Sequence, residues 1–448
     1  MEITRRNLVE TVAVAGAALA ASSLGAREAL ATKELSSSEA AAGAGAFVEA
    51  DMSITDEEAL AWLREEPECK DIVLEDGTVV PAKYVRLRLR IDRAGGGVGG
   101  TPRDGSWKWL LENLTEEDVD NLLLMPVLEW FQAGDLDLDV HTEEEWRQIC
   151  EELSLQGYLM RVRRAGIPHF HQLAFVHGLF EFSVLKHRDE DDNVQNITDV
   201  FALTGSDYSL WTGDTPVYHP LPVSADLVTD AHVLPYDDWK AIIARNTRFA
   251  VAPCQCRHAK ISLGALSEDC THPVETCMAF GEMADYYIEN GIGREIDAEE
   301  ADAILQRSVD AGMVIESEFT KASEVICSCH SDCCYLLGTV RAADGNLPAM
   351  ANISNYVLNL DKEACIQCGA CLDRCPMHSI TFGEDGYPEM DNACVKCGQC
   401  GLVCPANARS LSARPEAERL TLAEDMLGDY VQKSINRMRK GIIVDTVE

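Results

Sequence analysis

From Ile54 onward, apolar and polar positions follow both helical and strand periods, which predicts a mixed α+β chain. Val73 to Val80 and Tyr84 to Ile91 alternate like two strands flanking a turn at Gly77 and Pro81. Thr115 to Ala133 carries a helical period. Thr142-Glu143-Glu144-Glu145 is a capping-box sequence that opens a helix to about Leu155, and Gly157 ends it. Tyr158 to Arg163 and Phe170 to Val176 alternate around a turn at Ala165-Gly166. Residues 187–250 hold an acidic loop, a Pro-rich loop and a helix near Tyr236 to Arg245. Further on, Asp297-Ala-Glu299-Glu300 opens a helix with Ala301, Ile304 and Leu305 on one face and Gly312 at its end.

Helix, helix and a two-stranded hairpin over residues 51–190 resemble a winged-helix module. Such modules often bind DNA, but the net charge of −37 repels phosphate backbones, so no nucleic-acid partner is expected. Arg161, Arg163 and Arg164 are only a small basic set on the hairpin, which suits a docking or structural role. The glycine run from Gly95 to Gly100 lacks the strand and helix that frame a phosphate cradle, and it reads as a loop. Trp211, Trp239 and Cys150 read as core residues, and Cys69 stands alone.

The first residues follow another logic. Arg5-Arg6 precedes an Ala-rich, weakly hydrophobic run, and Ala29-Leu30-Ala31 is a small-x-small cleavage box. Residues 1–31 therefore resemble a twin-arginine export signal, although Glu10 and Glu28 depart from the usual pattern. The apolar run is too short and too broken for a membrane span. The resemblance implies a protein exported already folded, outside the cytoplasm, with membrane association only through a partner or an uncleaved signal. Residues 32–50 are rich in Ser, Ala and Gly and read as a linker.

Cysteine spacing carries the chemistry. Cys365-x-x-Cys368-x-x-Cys371-x-x-x-Cys375-Pro376 recurs 29 residues later as Cys394, Cys397, Cys400, Cys404 and Pro405. Three thiolates on one tight loop reach three irons of a cubane. The fourth begins a turn that leads away and reaches the other cluster. One [4Fe–4S] cluster should take Cys365, Cys368, Cys371 and Cys404. The second should take Cys394, Cys397, Cys400 and Cys375. Ser379-Ile380-Thr381-Phe382 and Tyr387 to Met390 flank a hairpin cue at Glu384-Asp385-Gly386. Residues 355–412 resemble a bacterial two-[4Fe–4S] ferredoxin over their whole length, and 413–448 read as a helical tail.

Eight more cysteines fall in the Cys-rich segment 191–354: Cys254, Cys256, Cys270, Cys277, Cys327, Cys329, Cys333 and Cys334. On an extended backbone, each C-x-C pair presents both thiolates on one face. Together with Gly291 to Arg294, taken as helical, the layout resembles multi-cluster ferredoxin-like proteins, which implies one or two further iron–sulfur clusters. Two quartets, Cys254/Cys256/Cys270/Cys277 and Cys327/Cys329/Cys333/Cys334, are the simplest division. One shared cluster, structural zinc and disulfides are the alternatives. His258, His272 and His330 lie beside this set and His378 beside the ferredoxin motif, all without an assigned ligand role. No covalent-haem, dinucleotide, P-loop or nucleophile-elbow motif is present. The expected function is electron transfer between redox protein partners. An oxidoreductase with a catalytic upstream cluster is the alternative.

Overall fold

The computed structural model describes residues 46–446 apart from 75, 97–105, 188–193, 195–196, 198–214, 224–235, 268–269, 343–344 and 346–352. The expectations for residues 1–45, for the glycines at 97–100 and for Trp211 lie outside the described residues.

The N-terminal region runs β1 (Ala46–Phe47), α1 (Asp56–Leu63), β2 (Ile72–Val73), β3 (Val79–Val80), α2 (Ala82–Arg93), α3 (Ser106–Asn113), α4 (Glu116–Leu124), α5 (Glu143–Leu155), β4 (Leu159–Arg164), β5 (Ile167–Gln172) and α6 (Leu179–Lys186). Only β2 and β3 form the first expected hairpin; Tyr84 to Ile91 is helix, not strand. The Val-Arg-Leu-Arg-Leu-Arg alternation misleads because two of its three arginines, Arg88 and Arg90, are buried with its leucines. Arg90 donates to the carbonyls of Leu123 and Met125 at 2.7 and 2.9 Å, and Arg93 stacks 4.0 Å over Trp62. Alternation marks a strand only when the polar positions face water.

The helix expected over Thr115 to Ala133 stops at Leu124. Pro126 disfavours helical geometry at Met125, which is extended with φ −86° and ψ 148°. The Thr142–Glu145 capping box closes reciprocally and starts α5. Strands β4 and β5 pair antiparallel, with Ala165 and Gly166 both at positive φ, the twist a two-residue hairpin needs. The hairpin's arginines are taken up internally: Arg161 and Arg163 both meet Glu289, and Arg164 stacks over Trp130.

The middle region runs β6 (Tyr218–Pro220), α7 (Trp239–Arg245), β7 (Phe249–Pro253), α8 (Gln255–Ser262), β8 (Glu275–Phe280), α9 (Glu282–Glu289), β9 (Arg294–Ile296), α10 (Ala298–Asp310), β10 (Val314–Glu318), β11 (Val325–Cys329) and α11 (Tyr335–Ala342). Six strands form one sheet in the order β6-β10-β11-β8-β7-β9. Gly291 to Arg294 is a turn entering β9 rather than helix, since Gly291 has φ +67°. Pleating splits the sheet into two faces. Phe249, Val251, Met278, Ile315 and Ile326 point to one, where they bury Ile304 and Leu305 of α10 and Ile242 of α7. The residues between them, Cys277, Glu316, Cys327 and Cys329, occupy the opposite face.

The C-terminal region holds β12 (Tyr356–Leu360), α12 (Ala370–Asp373), β13 (Ile380–Phe382), β14 (Pro388–Met390), α13 (Gln399–Leu402), β15 (Arg409–Ala413), α14 (Met426–Arg439) and β16 (Val444–Thr446). Strands β12 and β15 pair, and β13 with β14 forms the expected hairpin. The last segment is not a free tail. Helix α14 packs on α1, fully buried Arg437 meets Asp92 of α2 at 2.9 Å, and β16 pairs with β1 from the segment read as linker. Among the described residues, no helix is long and apolar enough to cross a membrane.

Candidate metal centres

The two ferredoxin motifs fold into copies of one loop. Gln367 and Lys396 have φ near +55°, Gly369 and Gly398 have φ +81° and +90°, and His378 and Asn407 have φ +49° and +51°. All three pairs are 29 residues apart, so the sequence repeat is also a backbone repeat. The left-handed turns curl each loop around a hollow. The N–H of Ser379 points at Cys375 Sγ (3.4 Å) and that of Ala408 at Cys404 Sγ (3.2 Å), which is the donor geometry a charged cluster sulfur uses.

Two cavities result. One is lined by Cys365, Cys368, Cys371 and Cys404 together with Leu360, Pro388 and Arg409. The other is lined by Cys375, Cys394, Cys397 and Cys400. Each hollow thus has four convergent thiols in a mostly apolar wall, a donor set that fits a [4Fe–4S] cluster. The first site is open to solvent, with Cys368 exposed and Ile366 64% exposed. At the second all four cysteines are buried, and burial pushes the Cys400 thiol up to about 12 and Cys397 well above its usual range. Cys404 differs: burial raises it, but the N–H groups of Ala406, Ala408 and Arg409 outweigh burial and hold its thiol below the ordinary value.

Most of the upstream thiols gather on the buried face of the six-stranded sheet that looks away from α7 and α10. Cys327 and Cys329 lie on β11, two residues apart and on one side of the pleat, as an extended C-x-C requires. Glu316 of β10 pairs directly with Cys327, and Cys277 reaches the same face from β8. The other C-x-C is not extended throughout: Cys254 is the N-cap of α8 and Cys256 sits in its first turn. Even so, Cys254 and Cys256 stand beside each other, and hydrogen bonding to Cys256 lowers the Cys254 thiol to about 7. Contacts continue from Cys256 to Cys334, from Cys334 to Cys329, from Cys329 to Cys327 and from Cys327 to Cys277.

The thiols do not group by order along the chain. Cys270 and Cys333 converge instead with His272, where Cys270 Sγ lies 3.4 Å from Nδ1. Arg257 Nη1 donates to Cys333 Sγ at 3.5 Å. A further triad, His330, Asp332 and His378, lies alongside, and His272 stacks on His330 with ring centroids 4.4 Å apart. His378 therefore meets the upstream region although the sequence places it with the ferredoxin motif.

Several residues around the thiols have no motif to mark them. Glu316 places its carboxylate within 4.8 Å of the Cys329 and Cys334 sulfurs. Tyr287 Oη is 3.5 Å from Cys277 Sγ. His177, Tyr218 and Glu181 are buried nearby, and burial raises the Glu181 carboxyl to about 8 and lowers the His177 imidazole to about 4. Glu316 and Glu318, at same-face positions of the strand Val314–Glu318, were the available sequence cue. Of the lone cysteines, Cys150 is fully buried in the core, and burial raises its thiol to about 12.

Residues 364–408 match the family model of the 4Fe-4S dicluster domain. No curated protein matches the chain, and no solved structure matches it. The C-terminal module is a ferredoxin-type iron–sulfur domain, and its chemistry is iron–sulfur electron transfer.

Proposed function

We propose that this chain is an electron relay in which the open ferredoxin site exchanges electrons with a redox protein partner, and the second site connects it to a metal centre held by the upstream thiols. Two [4Fe–4S] clusters bound in the ferredoxin cavities supply one-electron redox chemistry. Cys365, Cys368, Cys371 and Cys404 would hold the outer cluster, and Cys375, Cys394, Cys397 and Cys400 the inner one. The chain's own residues hold the clusters, exclude water from the inner one and fix its position against the upstream region.

The observation that carries this reading is the seam. The carbonyl of Pro376, next to Cys375, accepts two hydrogen bonds from Ser331, which lies between Cys329 and Cys333 on the upstream loop. Exposure thus falls in one direction, from Ile366 at the surface to the buried Cys327–Cys334 thiols. The inner site bridges the two. A linear chain that ends in a buried centre also favours the second reading, an oxidoreductase whose upstream centre is where substrate is reduced.

The relay is tested by removing its middle. Cys375→Ala should leave upstream reduction by dithionite intact and slow reduction by a reduced protein donor at least tenfold. Equal rates with the protein donor would overturn the relay.

The acidic surface guides docking to a complementary partner. The Arg5-Arg6 and Ala29-Leu30-Ala31 elements support export by the twin-arginine route, after cluster insertion in the cytoplasm.

A further inference from the structure

The eight upstream thiols divide unequally. Cys254, Cys256, Cys334, Cys329, Cys327 and Cys277 form an unbroken run of contacts, and all six are buried. Cys333, although next to Cys334, turns away toward Arg257 and shares His272 with Cys270. Two adjacent residues at the entrance to α11 thus serve different sites.

The run of six holds more thiols than one bridge or one cubane uses. Cys256, Cys334, Cys329 and Cys327 each stand beside two other thiols. Three bridges, Cys254–Cys256, Cys334–Cys329 and Cys327–Cys277, could pair the run, but they would leave the buried Glu316 Oε1 without a partner. A single cubane takes four thiolates and would strand two in contact with it. The carboxylate adds to the demand. Glu316 is 2% exposed, lies against Cys329 and Cys334, and its Oε1 has no hydrogen-bond partner among the described residues. The hydroxyl of Tyr218 and both ring nitrogens of His177, buried beside the same thiols, are likewise without one. A buried cluster with this many potential anions is costly unless a cationic core lies among them. Its position against the Cys375–Pro376 corner of the inner ferredoxin site selects a redox-active core.

We infer that Cys254, Cys256, Cys277, Cys327, Cys329 and Cys334 together hold one polynuclear iron–sulfur centre larger than a cubane, and that Cys270 and Cys333 stand outside it. The inference rests on the relay reading, since both require iron upstream of the ferredoxin module. Glu316 is an oxygen donor poised at the edge of this centre.

The test counts iron and acid-labile sulfide per chain in the anaerobically purified full-length protein and in single variants. The wild type should hold more than about twelve irons, about eight of them in the ferredoxin module. Cys270→Ser and Cys333→Ser should keep the full count. Cys277→Ser should fall to about eight, with the ferredoxin EPR signal of the reduced protein retained as the sign of an intact fold. Loss of about four irons in Cys270→Ser would restore two separate quartets and overturn the inference while the relay stands. A wild-type count of about twelve would mean one cubane among these thiols, with the same consequence. About eight irons, with zinc or disulfides upstream, would sink both the inference and the relay. If Cys277→Ser does not fold, the wild-type count and the Cys270→Ser variant still decide the question.

Discussion

Ser331 donates twice to the carbonyl oxygen of Pro376, from its N–H at 3.1 Å and from its hydroxyl at 2.8 Å. A second strut joins the same two regions, where the Val223 N–H reaches the carbonyl of Cys397 at 2.8 Å. A third runs from Gln399, whose amide donates to Val309 and Met313 carbonyls at the end of α10. Both loops of the inner ferredoxin site are therefore anchored on the Cys-rich region by backbone carbonyls, which fixes the inner loops against the upstream thiols.

Gly398 sits at this seam with φ +90°, and a Cβ there would lie 2.4 Å from the Val223 carbonyl oxygen. Gly398→Ala should cost on the order of 1–3 kcal/mol and loosen the inner cluster. Gly166, at φ +81° with nothing within 4 Å of its would-be Cβ, is the control for backbone strain alone. Thermal unfolding should separate the two variants clearly. Equal losses would show that the seam does not constrain the loop.

Cys404 lines the cavity of the Cys365–Cys371 loop although it belongs to the second motif. Cys404→Ala should convert or remove the outer cluster and spare the inner one, as read by EPR of the reduced protein. Damage confined to the cluster of Cys394, Cys397 and Cys400 would refute cross-ligation.

Replacing Arg5 and Arg6 together by Lys should strand iron-loaded protein in the cytoplasm. Cell fractionation with immunodetection checks this, and unchanged export of the double variant would discard the twin-arginine reading.

Burial, reinforced by the Glu318, Asp425 and Glu282 carboxylates, raises Glu324 from 4.5 to about 8. The folded chain therefore holds a proton there that the unfolded chain releases. Stability from this group is complete below the unfolded value near 4.5 and is lost as pH rises through about 8. Glu324→Gln should narrow the difference in Tm between about pH 5 and about pH 9, mostly by raising the Tm at the alkaline end. A calorimetric series showing the same slope for both proteins would count against it.

The ferredoxin module was legible in the sequence because its information is local. Each cluster loop needs only fixed cysteine spacing and left-handed turns, and the 29-residue repeat encodes both. The capping box at Thr142 and the α10 helix were legible for the same reason: a cap or an amphipathic face is decided within a few residues. The α2 helix was not, because its arginines find partners on α4 and after α1, and their burial cancels the alternation that signals a strand. The grouping of the upstream thiols was also decided by tertiary structure alone. The cysteines from Cys254 to Cys334 lie on two strands, at the starts of two helices and on one loop, and sheet order with pleat direction brings Cys277, Cys327 and Cys329 to one face while Cys333 turns toward Arg257. Spacing along the chain fixes which thiols can share a loop. Only the packing of distant elements fixes which thiols meet.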